Sequence, residues 1–324
     1  MILSDKEQNL KQSSSLLMKL DQEYNANLHQ KLKQSLLIEH DLDELNIEQY
    51  NQMREKDNYL ADHPDEILES LINKPDGYFF VRRVNNKIWT SPKIFYLGCG
   101  VSILGAVINQ KWIHSAYQKG FFPWYDRHSP VTYVKPYERA VFFPEEISFG
   151  RSLRKLLRKN LYEIWINRDT TEVMQGCALP RTYEFDTWIN QRIINTYPEL
   201  PNFLSVSAYR NGKLTGGLYG ILQGGIFHGE SMFGLESNVT KIVFFALCQL
   251  CLENGIKIID SQVLNDFTES LGAQVIDDDS FQVLLGKYRN IETDPQIFST
   301  RQFSVDPQLF RKDSFRFFFP DKQL

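Results

Sequence analysis

Leu204-Ser-Val-Ser-Ala-Tyr-Arg210, Asn211-Gly212, Lys213-Leu-Thr-Gly-Gly-Leu-Tyr-Gly-Ile-Leu222, Gln223-Gly-Gly225, Ile226-Phe-His-Gly-Glu-Ser-Met-Phe233 is the stretch that decides the fold. Asn-Gly between two β-rich runs marks a two-residue hairpin, because the favoured turn needs positive φ at both positions. Gln223-Gly-Gly225 turns the chain again, so the strands form a meander. Asn238 to Asn254 is an apolar helical segment closed by Gly255. Ile256 to Asp260 then returns as a strand. Strands, one central helix and another strand predict an α+β domain with a mostly antiparallel sheet.

Three polar side chains interrupt this apolar sequence: Glu230, Asp260 and Gln262. If the last strand continues through them, Asp260 and Gln262 point to one side and Ser261 to the other. Gly216, Gly217 and Gly220 lack the following Lys-Ser/Thr and helix of a phosphate-cradling loop. They suit a bulge or a ligand's close approach to the backbone.

Outward from this core, residues 1–75 contain no glycine and are rich in Gln, Asn, Lys, Glu and Leu. Leu16, Leu17, Leu20, Leu32, Leu36 and Leu37 recur at helical spacing, which predicts a helical N-terminal extension that is accessory or oligomerising. A small α/β domain is expected over 76–145. It holds strands at Tyr78-Phe-Phe-Val-Arg82 and Lys87-Ile-Trp-Thr90 around an Asn85-Asn86 turn, then a helix over Lys111 to Lys119 ending at Gly120. Gly120-Phe-Phe-Pro-Trp-Tyr125 is an aromatic loop, equally suited to core packing and to stacking on a ligand. The larger domain is expected over 146–324. In it, Arg151-Ser-Leu-Arg-Lys-Leu-Leu-Arg-Lys159 places Arg151, Arg154, Lys155 and Arg158 on one helix face, with Leu153, Leu156, Leu157 and Leu161 turned to the core. Asp186 is a candidate N-cap for a helix running to Tyr197.

The 324 residues carry a net charge of −4, so polyanion binding requires a local basic patch rather than a global field. No apolar run approaches the roughly 20 residues of a membrane span, and the first residues lack a secretory apolar region. Cys99, Cys177, Cys248 and Cys251 are too few and scattered for a disulfide framework, which points to a reducing, cytoplasmic setting. Cys248-Gln-Leu-Cys251 has no second ligand pair of matching spacing, so core cysteines are expected and no metal.

The chain resembles the leucyl/phenylalanyl-tRNA–protein transferases over about residues 100 to 300. The motifs are Ala116-Tyr-Gln-Lys-Gly-Phe-Phe-Pro-Trp124, Pro136, Arg139-Ala-Val141, Arg151-Ser152, Gly176-Cys-Ala178, Thr187-Trp-Ile189, Gly216-Gly217 and Tyr219-Gly220. They continue with Gly229-Glu-Ser-Met-Phe233, Asn238, Lys241, Asp260, Gln262-Val-Leu-Asn-Asp266 and Ser270-Leu-Gly272. The element order is also similar to the acetyltransferase-like (GNAT-like) fold. The resemblance implies transfer of leucine or phenylalanine, with methionine a further candidate, from aminoacyl-tRNA to a protein's N-terminal Arg or Lys. That step marks the acceptor protein for proteolysis. The activated ester carries the driving force, so no cofactor, DNA or membrane is expected.

By resemblance, the Gln262 side-chain oxygen accepts a hydrogen bond from the attacking α-amine. Asp260 polarises and orients that amide, and Glu230 holds the charge of the site. Leu218, Met232, Phe244, Leu247 and Ile259 match the donor side-chain pocket; by themselves they would be ordinary core. Tyr117, Trp124 and Trp188 match an aromatic site for the terminal adenosine. Arg151, Arg154, Lys155 and Arg158 are the expected tRNA contacts. Two rivals differ in class. An acetyl-CoA acyltransferase lacks its pyrophosphate turn in Gly234 to Lys241, and a non-catalytic binder of tRNA or protein N-termini would have no need of Glu230, Asp260 and Gln262.

Overall fold

The structure, a computed structural model, describes residues 52, 54–73, 81–84, 87–90, 92–97, 100–125, 130–179 and 189–310. Most of the expected helical extension, the Asn85-Asn86 turn, the Asp186 cap, Trp188 and Cys99 lie outside them. Helices α1 (Asn58–Asp62) and α2 (Pro64–Asn73) come first, followed by a hairpin of β1 (Val81–Val84) and β2 (Lys87–Thr90). β3 (Lys93–Leu97), β4 (Gly100–Leu104), α3 (Gln110–Gln118), β5 (Phe122–Pro123) and β6 (Thr132–Pro136) build a four-stranded antiparallel sheet in the order β3-β4-β6-β5.

The rest forms an eight-stranded sheet with helices between strands. In chain order these are β7 (Glu138–Phe142), α4 (Arg151–Leu157), β8 (Glu163–Ile166), α5 (Thr170–Cys177) and α6 (Gln191–Thr196). The meander follows as β9 (Phe203–Arg210), β10 (Lys213–Gln223) and β11 (Ile226–Gly234). Last come α7 (Val239–Glu253), β12 (Ile258–Gln262), α8 (Asp266–Ser270), β13 (Gln274–Asp277), α9 (Asp278–Tyr288) and β14 (Arg301–Phe303). The sheet order is β13-β7-β12-β11-β10-β9-β8-β14. Only β11–β12 is parallel, as the α7 crossover between them requires. The fold is mixed α+β with antiparallel pairs dominant.

β7, which a boundary at residue 145 assigns to the smaller domain, thus lies inside the large sheet. The Asn211-Gly212 turn forms as expected, with φ of 51° and 73°. Alternation along β10 sends Leu218 and Leu222 into one core with α7, and Tyr219 and Ile221 into another with α3, α5 and α6. α7 buries eleven of its fifteen residues, which explains why its sequence is apolar all round.

The described part of the extension is integral to the second core. Leu60, Ile67, Leu68 and Leu71 are buried against α3. Trp112 Nε1 donates to the Leu60 carbonyl at 2.6 Å, and Arg54 Nε to that of Gly105 at 2.7 Å. These bonds satisfy backbone oxygens that burial would otherwise leave unpaired.

Candidate active site

Two β-bulges shape the candidate site. On β11, Tyr219 opposes Ser231 while Gly220 opposes Gly229, so Glu230 is the extra residue. On β12, Asp260 opposes Val141 while Gln262 opposes Ala140, so Ser261 is extra. Bulges re-aim side chains. Regular alternation therefore fails at Asp260 and Gln262: Gln262 has φ of +65°, and the strand does not continue evenly through it. The bulge expected from the glycines is present at Gly220, where a Cβ would meet the His228 carbonyl at 2.1 Å. A second register shift lies beside Gly216, between Leu214 and Gly216 against β9, and Gly216 and Gly217 pack closely on Val239, Val173 and Phe233.

Asp260 is fully buried and ion-paired. Arg139 donates from Nε to its Oδ1 at 2.8 Å and from Nη2 to its Oδ2 at 2.6 Å. His228 Nδ1 donates to Oδ2 at 2.7 Å, and the Gln262 backbone N–H to Oδ1 at 2.9 Å. Burial alone would raise this carboxyl. The Arg139 charge, with hydrogen bonds from His228 and Arg139, outweighs it and holds Asp260 well below the usual carboxylate range. Burial also lowers the His228 pKa, against the opposing pull of the Asp260 carboxylate. Asp260 therefore reaches Gln262 through the main chain, so any orienting of its amide acts through the backbone rather than through a side-chain bond.

That amide belongs to Glu230. Gln262 Nε2 donates to Glu230 Oε1 at 2.7 Å, leaving the amide oxygen as an acceptor. Tyr117 donates a short hydrogen bond to the same Oε1, and Tyr197 approaches Oε2 at 3.4 Å. Burial pushes the Glu230 carboxyl up to about 8, and the negative Asp260 adds to the rise. The bonds from Tyr117 and Gln262 oppose it.

The remaining expected residues fall into three places. Leu218, Phe244, Leu247 and Ile259 are buried together, with Met232 partly buried against them. They lie in the α7 core, whereas Tyr117 and Tyr197 belong to the other one. Of the aromatic loop, Phe121, Phe122 and Tyr125 are core; Trp124 is 38 % exposed and stacks on Phe122. Tyr117 is buried and serves Glu230. On α4, Arg151, Lys155 and Arg158 are exposed, but Arg154 is half-buried and its buried Nε has no hydrogen-bond partner among the described residues. Leu161, expected in the core, is 41 % exposed because the helix ends at Leu157. A cleft of about 500 Å³ lies elsewhere, lined by Glu55, Asn109 and Arg192 among others.

Sequence reasoning gave no role to Arg139, His228 or Tyr197. A signal was present: Arg139 and His228 each interrupt an apolar strand, and a charge placed there needs a partner.

A mixed α+β protein with a buried carboxylate–amide site on two bulged neighbouring strands is the class these features define. The family model for leucyl/phenylalanyl-tRNA protein transferase matches residues 141–286. The transferase of that name from Shewanella baltica is 41 % identical over 210 residues, covering 64 % of this chain and 89 % of the relative. Those of Aliivibrio fischeri (41 % over 189 residues, 57 % and 79 % covered) and Cellvibrio japonicus (35 % over 212, 64 % and 89 %) are similar. The chain belongs to the leucyl/phenylalanyl-tRNA–protein transferase family. Among solved structures, L-PGS from Bacillus licheniformis superposes at a TM-score of 0.35 with 11 % identity, covering 62 % of this chain and 90 % of that one, a likeness too loose to carry the fold. Among the described residues no helix is long and apolar enough to cross a membrane, and no cluster of metal-ligating side chains occurs.

Proposed function

We propose that this chain moves leucine or phenylalanine from aminoacyl-tRNA to the N-terminal Arg or Lys of acceptor proteins, creating a signal for proteolysis. Its sheet and α7 are read as an acetyltransferase-like unit over 146–324 with β7 added. In the reaction the acceptor's α-amine attacks the ester carbonyl carbon. A C–N bond forms, the C–O bond to the terminal ribose breaks, and the amine's proton leaves while the ribose hydroxyl regains one. Positioning the two substrates supplies much of the acceleration, up to roughly 7–11 kcal/mol in favourable systems.

The observation that carries this reading is the orientation of Gln262. Its Nε2 is engaged by Glu230, so its carbonyl oxygen is available to the amine's N–H. β11 and β12 pair only as far as His228 and Asp260, and Glu230 and Gln262 bridge the two strands beyond. The donor side chain is placed through that divergence, toward Leu218, Met232, Phe244, Leu247 and Ile259. Shape and burial would then select it. Trp124, with Trp188, takes the terminal adenosine, and α4 takes the acceptor arm of the tRNA.

Purified protein with labelled Leu-tRNA or Phe-tRNA should transfer label to Arg- and Lys-initial peptides and not to Ala- or Asp-initial ones. Gln262→Ala should abolish transfer with tRNA binding retained; undiminished turnover would remove Gln262 from the site. Replacing Arg151, Arg154 and Arg158 together by Ala should lower the slope of log affinity against log salt by roughly two to three, near 0.7–0.9 per lost phosphate contact. An unchanged slope places the tRNA on another face.

A further inference from the structure

The Gln262 backbone sits in a conformation that a glutamine adopts only under constraint, at φ +65°. The constraint visible beside it is its N–H bond to Asp260 Oδ1. Asp260 has four acceptor positions, and they meet Arg139 Nε, Arg139 Nη2, His228 Nδ1 and the Gln262 N–H. No position remains for a proton from the attacking amine or for the acceptor's cationic side chain.

Arg139 is itself held from three sides. Its Nη1 donates to the Gly120 carbonyl at 2.9 Å, and its guanidinium lies 5.0 Å from the Phe122 ring centre and 4.4 Å from that of Phe281. Gly120 ends the turn after α3, the helix that brings Tyr117 to Glu230. One planar group thus joins the strand carrying Gln262 to the helix serving the second carboxylate.

We infer that Arg139 is a positioning residue for this reaction: through Asp260, and with His228 as second holder, it fixes the left-handed backbone of Gln262 that aims the side-chain amide at Glu230. The inference rests on the proposed role of Gln262 at the amine. Asp260 acts as a buried anchor, neither a base nor the recognition group for the acceptor's charge. Lysine cannot substitute, since one ammonium cannot reproduce the planar fork that meets both Asp260 oxygens and Gly120 together.

The test compares Arg139→Lys, His228→Gln and Gln262→Ala using phenylalanyl-tRNA and an Arg-initial peptide. Melting curves and tRNA affinity are measured alongside. Arg139→Lys should lose at least tenfold in kcat, with KM for the peptide and Kd for tRNA within twofold of the parent and the midpoint of its pH–rate profile unmoved. His228→Gln should lose threefold or more in kcat in the same pattern, and it carries the test if Arg139→Lys does not fold. A parental kcat in the folded variant, or a loss confined to KM or to tRNA binding, overturns the inference. If Gln262→Ala is inactive while Arg139→Lys keeps parental kcat, this inference alone fails. If Gln262→Ala keeps full turnover, the reading of the site fails first.

Discussion

Asp260 and Glu230 stand on neighbouring strands, both buried, yet their surroundings drive them opposite ways. Asp260 faces an arginine and stays ionised to well below the usual range; Glu230 faces two phenols and an amide and takes a proton near pH 8. The difference is the presence of a full opposing charge. Neutral donors favour a carboxylate, but they do not offset the cost of removing it from water. One region of the site is therefore a rigid anchor. The other changes its protonation in the range where an α-amine, near 7.7–8.0, loses its own.

The sharpest way to break this comparison is to remove the opposing charge. Arg139→Ala leaves Asp260 buried and unpaired, and urea unfolding should record a loss of roughly 3–5 kcal/mol. A protein as stable as the parent would show that Asp260 is compensated without Arg139. The second test concerns pH. Folded Glu230 keeps its proton up to about pH 8, while in the unfolded chain it ionises near 4.3. The folded state thus binds more protons between those values, and stability falls as pH rises through that window. Asp260 has the reverse sign, its contribution being lost as pH falls through the acid range. Glu230→Gln should raise the melting temperature by a few degrees at pH 8.5, about 2–4 °C per kcal/mol in a chain of this size class, and far less at pH 5. An equal gain at both pH values would show that Glu230 does not titrate in this window. The smallest effect belongs to Tyr197→Phe. It removes two long contacts, 3.4 Å to Glu230 and 3.3 Å to the Tyr117 hydroxyl, and should cost about 0.5–1.5 kcal/mol in urea unfolding.

Much of the frame was legible in the chain because its signals are local. Asn211-Gly212 declares a turn by its own φ preferences, and the largely apolar run of α7 from Ile242 to Leu252 declares burial. The candidate residues Glu230, Asp260 and Gln262 were legible too, as polar groups in apolar strands. Their relations were not. Whether Gln262 follows strand alternation depends on a bulge, and that bulge forms against Ala140 and Val141, far away in sequence. Arg139 could be suspected of needing a partner, yet β7 and β12 had to be paired before Asp260 became the one it meets. The packing of the extension is of the same kind: helical spacing predicts apolar faces at residues 54–73, and only the folded α3 identifies the surface that covers them.

The separation of 121 positions between Arg139 and Asp260 also sets a schedule for a ribosome making this chain. At 5–20 residues per second, Arg139 is synthesised roughly 6–24 s before the carboxylate that completes it. Until then β12 has not been made, so β7 has no neighbour on that side and the strand that will hold Gln262 does not exist. The candidate site is thus incomplete through most of the protein's synthesis, and its last members arrive about four-fifths of the way along the 324 residues.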